Sequence, residues 1–500
     1  MTTSDAPLMV SVSGCRGIVG KSLTPEVVAA FVRAAVAWMP GPADGRRIVV
    51  LARDGRVGGE SVHRVAENEL IRLGCHVVDI GVATTPTCGV MVRERRATGG
   101  IVITASHNPA EWNGIKVIDG RGAAPSPADA KRIIDGFRAG SAFTRKGDPG
   151  GSMGAGTVER DEKATDVHVR RVLDAVAQVV PLNRIREKRF GVVLDSVNAS
   201  GRIGGRKLLD ELGCRVVHLN HSDSGVFPHP PEPTLENLVT LCEEVGRASK
   251  SCAAPGTANA PYADGETCWV GFAQDPDADR LAIVDECGHY IGEEYTLVLA
   301  VLSLLSSMKK EDAARAVFAA NLSTSRMIDD AAAKYGARVV RTAVGEANVV
   351  DGMTRNAANM GGEGNGGVIW PMIVPIRDSL SAMALTLALM ASSGKSVSEL
   401  VRMVPSYAIE KRKVELGPGG GVAERAVAAV KSLYQSRGAK LDEQDGVRAD
   451  FDEPGGQGRA WVHVRASNTE PIVRFIAEAP TRHIADAILD EAQAACGKGS

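Results

Sequence analysis

The chain is short of aromatic residues: phenylalanine, tryptophan and tyrosine make up only 4% of its 500 residues. That is too few for the stacking platforms on which proteins hold single-stranded nucleic acid. It also lacks charge of one sign. A net charge of −2 provides no basic field to draw it to nucleic acid or to a membrane surface. Long hydrophobic runs are missing too. The most apolar helix-like segment, Tyr295 to Leu305, is too short to span a bilayer and contains Ser303. The nine cysteines are odd in number, scattered, and form no C-x-x-C pair, so they suggest neither a zinc knuckle nor a disulfide framework. The opening M-T-T-S-D-A-P has neither the basic nor the apolar region of a signal peptide. A reducing, cytoplasmic setting is expected, with no nucleic-acid or membrane partner.

What is present is ordinary for a globular protein with ample core: 44% hydrophobic and 24% charged residues. The length suggests three or four domains at roughly 150 residues each. Strand–helix–strand units recur. Arg47 to Leu51, Glu60 to Leu73 and Cys75 to Ile80 form the first. Arg189 to Leu194, Gly201 to Leu212 and Gly213 to Val217 form the second. Ala316 to Ala320, Ser325 to Tyr335 and Gly336 to Val340 form the third. Their helix-stop glycines, Gly74, Gly213 and Gly336, lie 139 and 123 residues apart. That spacing suggests three α/β domains of one design. The tail differs. Strands at Tyr407 to Leu416, Trp461 to Arg465 and Val473 to Glu478 alternate with helices at Val422 to Ser436 and Ile484 to Ala495, which reads as α+β. Residues 144–156 and 251–265 read as linker or insertion.

Several stretches carry chemistry. Ile101 to Thr104 reads as a buried strand, and Asn108-Pro109 breaks it, with Pro109 suited to the first position of a helix. Ser106 and His107 then sit just past a strand's carboxyl end, where open α/β sheets place ligands. Alone, Ser106 reads more readily as a helix cap than as a nucleophile. In Ser13-Gly14-Cys15-Arg16-Gly17, glycines allow close backbone approach and Arg16 is suited to phosphate. Asp275, Asp277 and Asp279 alternate and can turn toward one point to hold a hard divalent cation. An EF-hand is excluded, because Arg280 stands where glycine is needed and Leu281 to Val284 reads as a strand. Gly362, Gly364 and Gly367 formally match G-x-G-x-x-G. Ala357 to Met360 does not read as a strand, nor Val368 to Pro371 as a helix, so a dinucleotide site is not expected. Arg465-Ala466-Ser467-Asn468-Thr469-Glu470-Pro471 follows a strand and can ring a phosphate with donors.

Together, T-A-S-H-N-P with N-G-I-K, G-C-R-G, D-P-D-A-D-R, G-E-G-N-G-G and R-A-S-N-T-E-P resemble the α-D-phosphohexomutases: phosphoglucomutases, phosphomannomutases and phosphoglucosamine mutases. The resemblance runs over nearly the whole chain. It implies three similar α/β domains with mixed sheets (1–155, 156–288, 289–404) and a C-terminal α+β domain (405–500) around a central cleft. It implies that Ser106 carries a phosphoryl group, with Arg16, His107 and Lys116 as catalytic groups beside it. Asp275, Asp277 and Asp279 would hold Mg2+, with an oxygen of the Ser106 phosphate completing its shell. The family's usual metal loop is D-G-D-G-D-R, so Pro276 and Ala278 stiffen this one. Arg280 would hold phosphate. Glu363 and Asn365 would read sugar hydroxyls, although asparagine and glycine replace the family's usual serine and histidine there. Arg377-Asp378 resembles a further family element and reads equally as a structural salt bridge. Arg465, Ser467, Asn468 and Thr469 would bind phosphate, assisted by Arg474. The implied reaction interconverts hexose 6-phosphate and hexose 1-phosphate, with a hexose 1,6-bisphosphate as intermediate and activator. Glucosamine phosphate is the expected sugar, mannose or glucose phosphate the alternative, and a catalytically silent sugar-phosphate regulator a remote one. A monomer or homodimer is expected.

Overall fold

The computed structural model describes residues 7–41, 47–140, 156–249, 267–415, 422–452, 458–466 and 472–497. Four sheets follow one another along the chain. The first contains β1 (Leu8–Ser11), β2 (Gly14–Ile18), β3 (Ile48–Arg53), β4 (His76–Val82), β5 (Gly99–Ile103), β6 (Trp112–Asp119) and β7 (Thr157–Arg160), in the order β1-β2-β6-β5-β3-β4-β7. The second contains β8 (Gly191–Asp195), β9 (Arg215–Leu219), β10 (Trp269–Gln274) and β11 (Leu281–Val284), ordered β11-β10-β8-β9. The third contains β12 (Val317–Asn321), β13 (Arg338–Thr342), β14 (Met360–Glu363) and β15 (Gly367–Ile369), ordered β13-β12-β14-β15. The second and third each pair two strands in parallel with the first and close with an antiparallel hairpin strand. The repeated design read in the sequence is therefore real for these sheets. The three helix-stop glycines all adopt positive φ (72–76°), which glycine takes without strain.

The fourth sheet contains β16 (Ala408–Glu415), β17 (Lys440–Asp442), β18 (Val447–Asp452), β19 (Arg459–Ala466) and β20 (Ile472–Ala479), ordered β16-β20-β19-β18-β17 and antiparallel throughout. The described residues thus form three α/β units with mixed sheets and a C-terminal α+β unit.

One core runs through the first three units: Val102, Phe272, Phe318 and Leu385 belong to a single packed cluster. At its centre lies the helix Ser379–Ser393, buried on every face from Ser379 to Ala391. That all-round burial is what an apolar helix without a polar stripe requires. The fourth unit has its own core around Val430, Phe475 and Leu489. It is joined to the third by Arg448 Nη1 donating to Leu322 O (2.6 Å), His463 Nδ1 bonded to Ser323 Oγ (3.0 Å) and Arg326 N donating to Glu478 Oε1 (3.0 Å). No helix of the described residues is long and apolar enough to cross a membrane.

Two local expectations fail. Pro109 starts no helix. After the turn at Ser106–Asn108 the chain enters β6, antiparallel to β5, and Trp112 N bonds Pro109 O (3.0 Å) across a tight reversal. Sheet pairing overrides the proline signal. Met360–Glu363 is a strand, β14, where the sequence did not read one. The dinucleotide reading still fails, because a hairpin to β15 and not a helix follows.

Candidate active site

Ser106 lies just past β5 with φ +50°, a left-handed conformation costing a non-glycine residue about 1–2 kcal/mol. Its surroundings hold it there. Asp54 accepts the Thr104 hydroxyl (2.6 Å), and Thr104 Oγ1 accepts Ser106 N (2.8 Å). Arg56, with a fully buried side chain, pairs with Asp54 (2.8 Å) and donates to the carbonyls of Ser106, Asn108 (3.3 Å) and Trp112 (3.1 Å). Nothing local in the sequence marks Asp54 or Arg56, because each has a partner 50 residues away. Lysine cannot reproduce a fork that serves three directions. Arg56→Lys is therefore expected to lower Tm and to cost about tenfold or more in kcat. Calorimetry and a turnover assay on the same preparation check this, and wild-type values in both would contradict it.

The Ser106 hydroxyl faces Asp275 Oδ2 at 3.1 Å and His107 Nδ1 at 3.4 Å. Asp275, Asp277 and Asp279 are all fully buried, and an oxygen of each lies within 4.8 Å of the others. Asp277 Oδ2 accepts Lys116 Nζ (2.5 Å) and Thr85 Oγ1 (2.6 Å); Asp279 Oδ2 accepts Arg377 Nη2 (2.7 Å) and Lys116 Nζ (3.1 Å). Asp277 Oδ1 and Asp279 Oδ1 have no hydrogen-bond partner among the described residues. Two orphaned, buried anionic oxygens beside a third carboxylate are costly unless a cation satisfies them. An all-oxygen set of this kind fits a hard divalent ion. Burial pushes the Asp275 carboxyl up to about 7, and the neighbouring Asp279 and Asp277 add to the rise. Ala278, at φ +52°, takes the left-handed turn for which the family's glycine is suited, so the loop is strained as well as stiff.

A second trio, Asp285, Cys287 and His289, also brings ligand atoms together. Asp285 Oδ1 caps the backbone N–H groups of Cys287 and His289. That trio reads as a hairpin turn.

Cations surround the aspartates. Burial lowers the Lys116 pKa, but Asp277 and Asp279 outweigh it and hold it above the ordinary lysine value. Arg280 donates to Asp275 from its backbone (3.1 Å) and from Nε (3.3 Å), while Nη2 lacks a partner among the described residues. Arg16, on β2, donates to Asn108 Oδ1 (2.7 Å) and Ala105 O (3.3 Å), flanking the serine turn. Burial, then Arg280 and Arg16, push the His107 imidazole well below its ordinary pKa, so the ring is neutral.

Arg377 is the joint that the sequence left open. It pairs with Asp279 of the aspartate loop, Glu363 at the end of β14, and Glu346, each at 2.7 Å. Burial pushes the Glu346 carboxyl up to about 7. Glu346, Arg16, Lys116 and Arg377 line a cavity of about 320 Å3 between the first and third units, within the range of small-molecule sites. Asp378, by contrast, caps a helix, accepting from Leu380 N and Ser381 N. Glu363, opposite Gly367 in the β14–β15 hairpin, also accepts Asn321 Nδ2 (2.8 Å) and Gly345 N (3.1 Å). Asn365 Oδ1 is buried without a partner among the described residues. Neither Glu346 nor Thr85 carried a sequence signal.

Arg465 and Arg474 face one another across β19 and β20. Arg465 reaches Asp445 (3.9 Å), whose Oδ2 accepts Val344 N (3.1 Å) next to the cavity. No described hydrogen bond links Arg465 to the serine or aspartate loops. Ser467, Asn468 and Thr469 lie outside the described residues.

Family models match in chain order. Phosphoglucomutase/phosphomannomutase alpha/beta/alpha domains I, II and III match residues 8–143, 170–288 and 293–407, and the C-terminal domain matches residues 411–495. A phosphoglucomutase/phosphomannomutase of Thermococcus kodakarensis is 34% identical, covering 95% of this chain and 96% of its own. A probable phosphoglucosamine mutase of Methanopyrus kandleri is 33% identical over 96% and 95%. The crystal structure of a phosphoglucomutase/phosphomannomutase family protein from Burkholderia thailandensis shares the fold, with a TM-score of 0.78 at 24% identity, covering 99% of this chain and 97% of that one.

Proposed function

The chain belongs to the phosphoglucomutase/phosphomannomutase family and is a phosphohexomutase, and from that premise we propose that it interconverts hexose 6-phosphate and hexose 1-phosphate through a phosphorylated Ser106 and a bisphosphorylated sugar. The preferred sugar in this reading is glucosamine phosphate, supported by the G-E-G-N-G-G hairpin and the Methanopyrus relative's name. Mannose or glucose phosphate is the alternative, supported by the Thermococcus relative's name. The observation that carries the reading is the Ser106 hydroxyl 3.1 Å from one of three converging buried carboxylates, two of which keep an orphaned oxygen.

Asp275, Asp277 and Asp279 would hold Mg2+, with a phosphate oxygen on Ser106 as a further ligand. Bound there, the ion would offset the negative charge of the transferring phosphoryl group. The residues do the rest. Arg16, Lys116 and the unpartnered Nη2 of Arg280 surround the same point with positive charge, fixed before substrate arrives. Lys116, beside two carboxylates that favour its charged form, is placed to stabilise charge. As phosphoryl leaves Ser106 Oγ for the sugar hydroxyl, the Oγ–P bond breaks, the sugar O–P bond forms, and the hydroxyl's proton ends on Ser106 Oγ. In the return step that proton passes from Ser106 Oγ to the sugar oxygen that gives up the phosphoryl group, and His107 Nδ1, 3.4 Å from Oγ, orients the hydroxyl. Arg377 links this centre to the sugar hairpin, so Glu363 and Asn365 are oriented by the same contact that orients Asp279.

Two measurements test the substrate side. Glu363→Gln removes one of the three carboxylates that Arg377 pairs with and weakens any sugar hydroxyl contact, a loss of about 1–3 kcal/mol. It is expected to lower kcat/KM about tenfold to a hundredfold on glucose, mannose and glucosamine phosphates alike. Unchanged values on all three would contradict the role. Arg465→Ala tests a shared phosphate pocket. With one donor serine and one holding pocket, the bisphosphate must turn around between half-reactions, so KM should rise for both the 1- and the 6-phosphate. A rise for only one of them would contradict that scheme. A coupled assay on the three hexose phosphates settles the sugar.

A further inference from the structure

His168, on the helix Ala164–Val176, is fully buried and far in sequence from every loop described above, yet it touches two of the supports that hold the aspartates. Its Nδ1 lies 2.9 Å from Thr87 Oγ1, and its Nε2 lies 3.2 Å from Asp378 Oδ2. Each contact is at the first turn of a helix whose beginning grips the metal loop.

The first is the helix Thr85–Glu94. Thr84 caps it by accepting Thr87 N (3.0 Å), and Thr87 Oγ1 also bonds Thr84 Oγ1 (2.7 Å). Between them, Thr85 bonds Asp277 twice, from Oγ1 to Oδ2 (2.6 Å) and from N to the carbonyl (3.0 Å). The second is the helix Ser379–Ser393, capped by Asp378. Ser379 Oγ (2.7 Å) and N (3.3 Å) both donate to the carbonyl of Ala278, the left-handed residue of the loop. Just before the cap, Arg377 pairs with Asp279. One grip therefore acts on Asp277 and the other on Ala278 and Asp279, and His168 ties the two together.

One tautomer of His168 satisfies every hydrogen bond in this chain of contacts. Nε2–H donates to Asp378, Nδ1 accepts the Thr87 hydroxyl, Thr87 Oγ1 accepts the Thr84 hydroxyl, and Thr84 Oγ1 accepts Thr87 N. Every donor in this chain has a protein acceptor. A hydrophobic residue would fill the space, but it would leave Asp378 and Thr87 without the ring and the two helix starts free to shift separately.

We propose that His168 is a positioning residue for the metal loop, bridging the two helix starts that fix Asp277 on one side and Ala278 and Asp279 on the other. This rests on the metal-site reading of the three aspartates. The ligand oxygens keep the spacing a cation needs because both grips are referenced to one rigid ring.

The test is Mn2+ binding, read by electron paramagnetic resonance on the full-length protein, alongside Tm. His168→Ala is expected to weaken Mn2+ binding about tenfold to a hundredfold, the usual effect of removing a residue that orients a metal's ligands. His168→Gln, which can donate to Asp378 and accept from Thr87, should restore most of it. Val172→Ala, a cavity in the same helix at a fully buried position, should lower Tm and leave Mn2+ affinity alone. Thr87→Val cuts one tie without exposing a charge, should also weaken binding, and serves if His168→Ala does not fold. Mn2+ affinity within about twofold of wild type in His168→Ala, or in Thr87→Val if the former is unfolded, overturns the bridge alone. A wild-type protein that binds no Mn2+ overturns the metal-site reading and the bridge with it.

Discussion

Ser106→Ala is expected to lower turnover by about 10^4-fold or more, with Tm near wild type. The size follows from the route. In the proposed route Ser106 Oγ is the covalent phosphoryl carrier, and without it the reaction loses the intermediate that splits it into two half-reactions. Nucleophile removals in enzymes that depend on one cost losses of this order. The small stability effect follows from the packing. The turn is held by Ser106 N, which donates to Thr104, and by Ser106 O, which accepts from Arg56, and alanine retains both groups. The hydroxyl's own contacts, to Asp275 and His107, belong to the reacting centre. A coupled turnover assay and calorimetry read the two quantities. Retention of more than about a tenth of wild-type turnover would show that another group carries the phosphoryl.

Asp277→Asn is expected to be nearly as severe. Asp277 supplies one of the two orphaned oxygens and takes the shortest bond from Lys116, at 2.5 Å. Replacing it removes an anionic ligand and loosens a cation that faces the transferring group. Metal-supplied charge stabilisation is worth several kcal/mol. At tenfold per roughly 1.36 kcal/mol, kcat falls about a thousandfold. The fold should persist, because the oxygen of the asparagine amide can still accept the Thr85 hydroxyl, and the backbone contact from Thr85 is unchanged. The comparison to make is turnover before and after chelation, then with Mg2+ returned. Wild type should lose and regain activity, whereas Asp277→Asn should be low throughout. A variant as active as wild type under both conditions would sink the metal role.

The site was legible where its chemistry is local. Asp275, Asp277 and Asp279 announce themselves because three acids cannot alternate in a buried loop without a purpose, and Ser106 because a motif surrounds it. Residues that act across the fold left no local trace. Arg56 reaches a carbonyl 50 positions away, Thr85 reaches Asp277 from 192 positions away, and His168 reaches Asp378 from 210. Glu346 looks like any acid at a helix start. The fold followed the same division. Helix stops at Gly74, Gly213 and Gly336 and the apolar strands were visible, because backbone conformation and burial are encoded residue by residue. Pro109 misled because β6 has to turn back at once to pair with β5. Met360–Glu363 was missed because two glycines weaken a strand's signature, although pairing with Ala319 and Ala320 compensates.

The central claim is that Ser106 carries the phosphoryl group. The direct measurement is peptide mass spectrometry of the wild-type protein and of Ser106→Ala, after incubation with glucose 1,6-bisphosphate and Mg2+. The account predicts one added phosphoryl group on the peptide containing Ser106, at that side chain, and lost again when a hexose monophosphate is supplied. It predicts none on Ser106→Ala. Phosphate on any other residue of the wild type, or a phosphoryl group on Ser106 that no sugar phosphate removes, would contradict it.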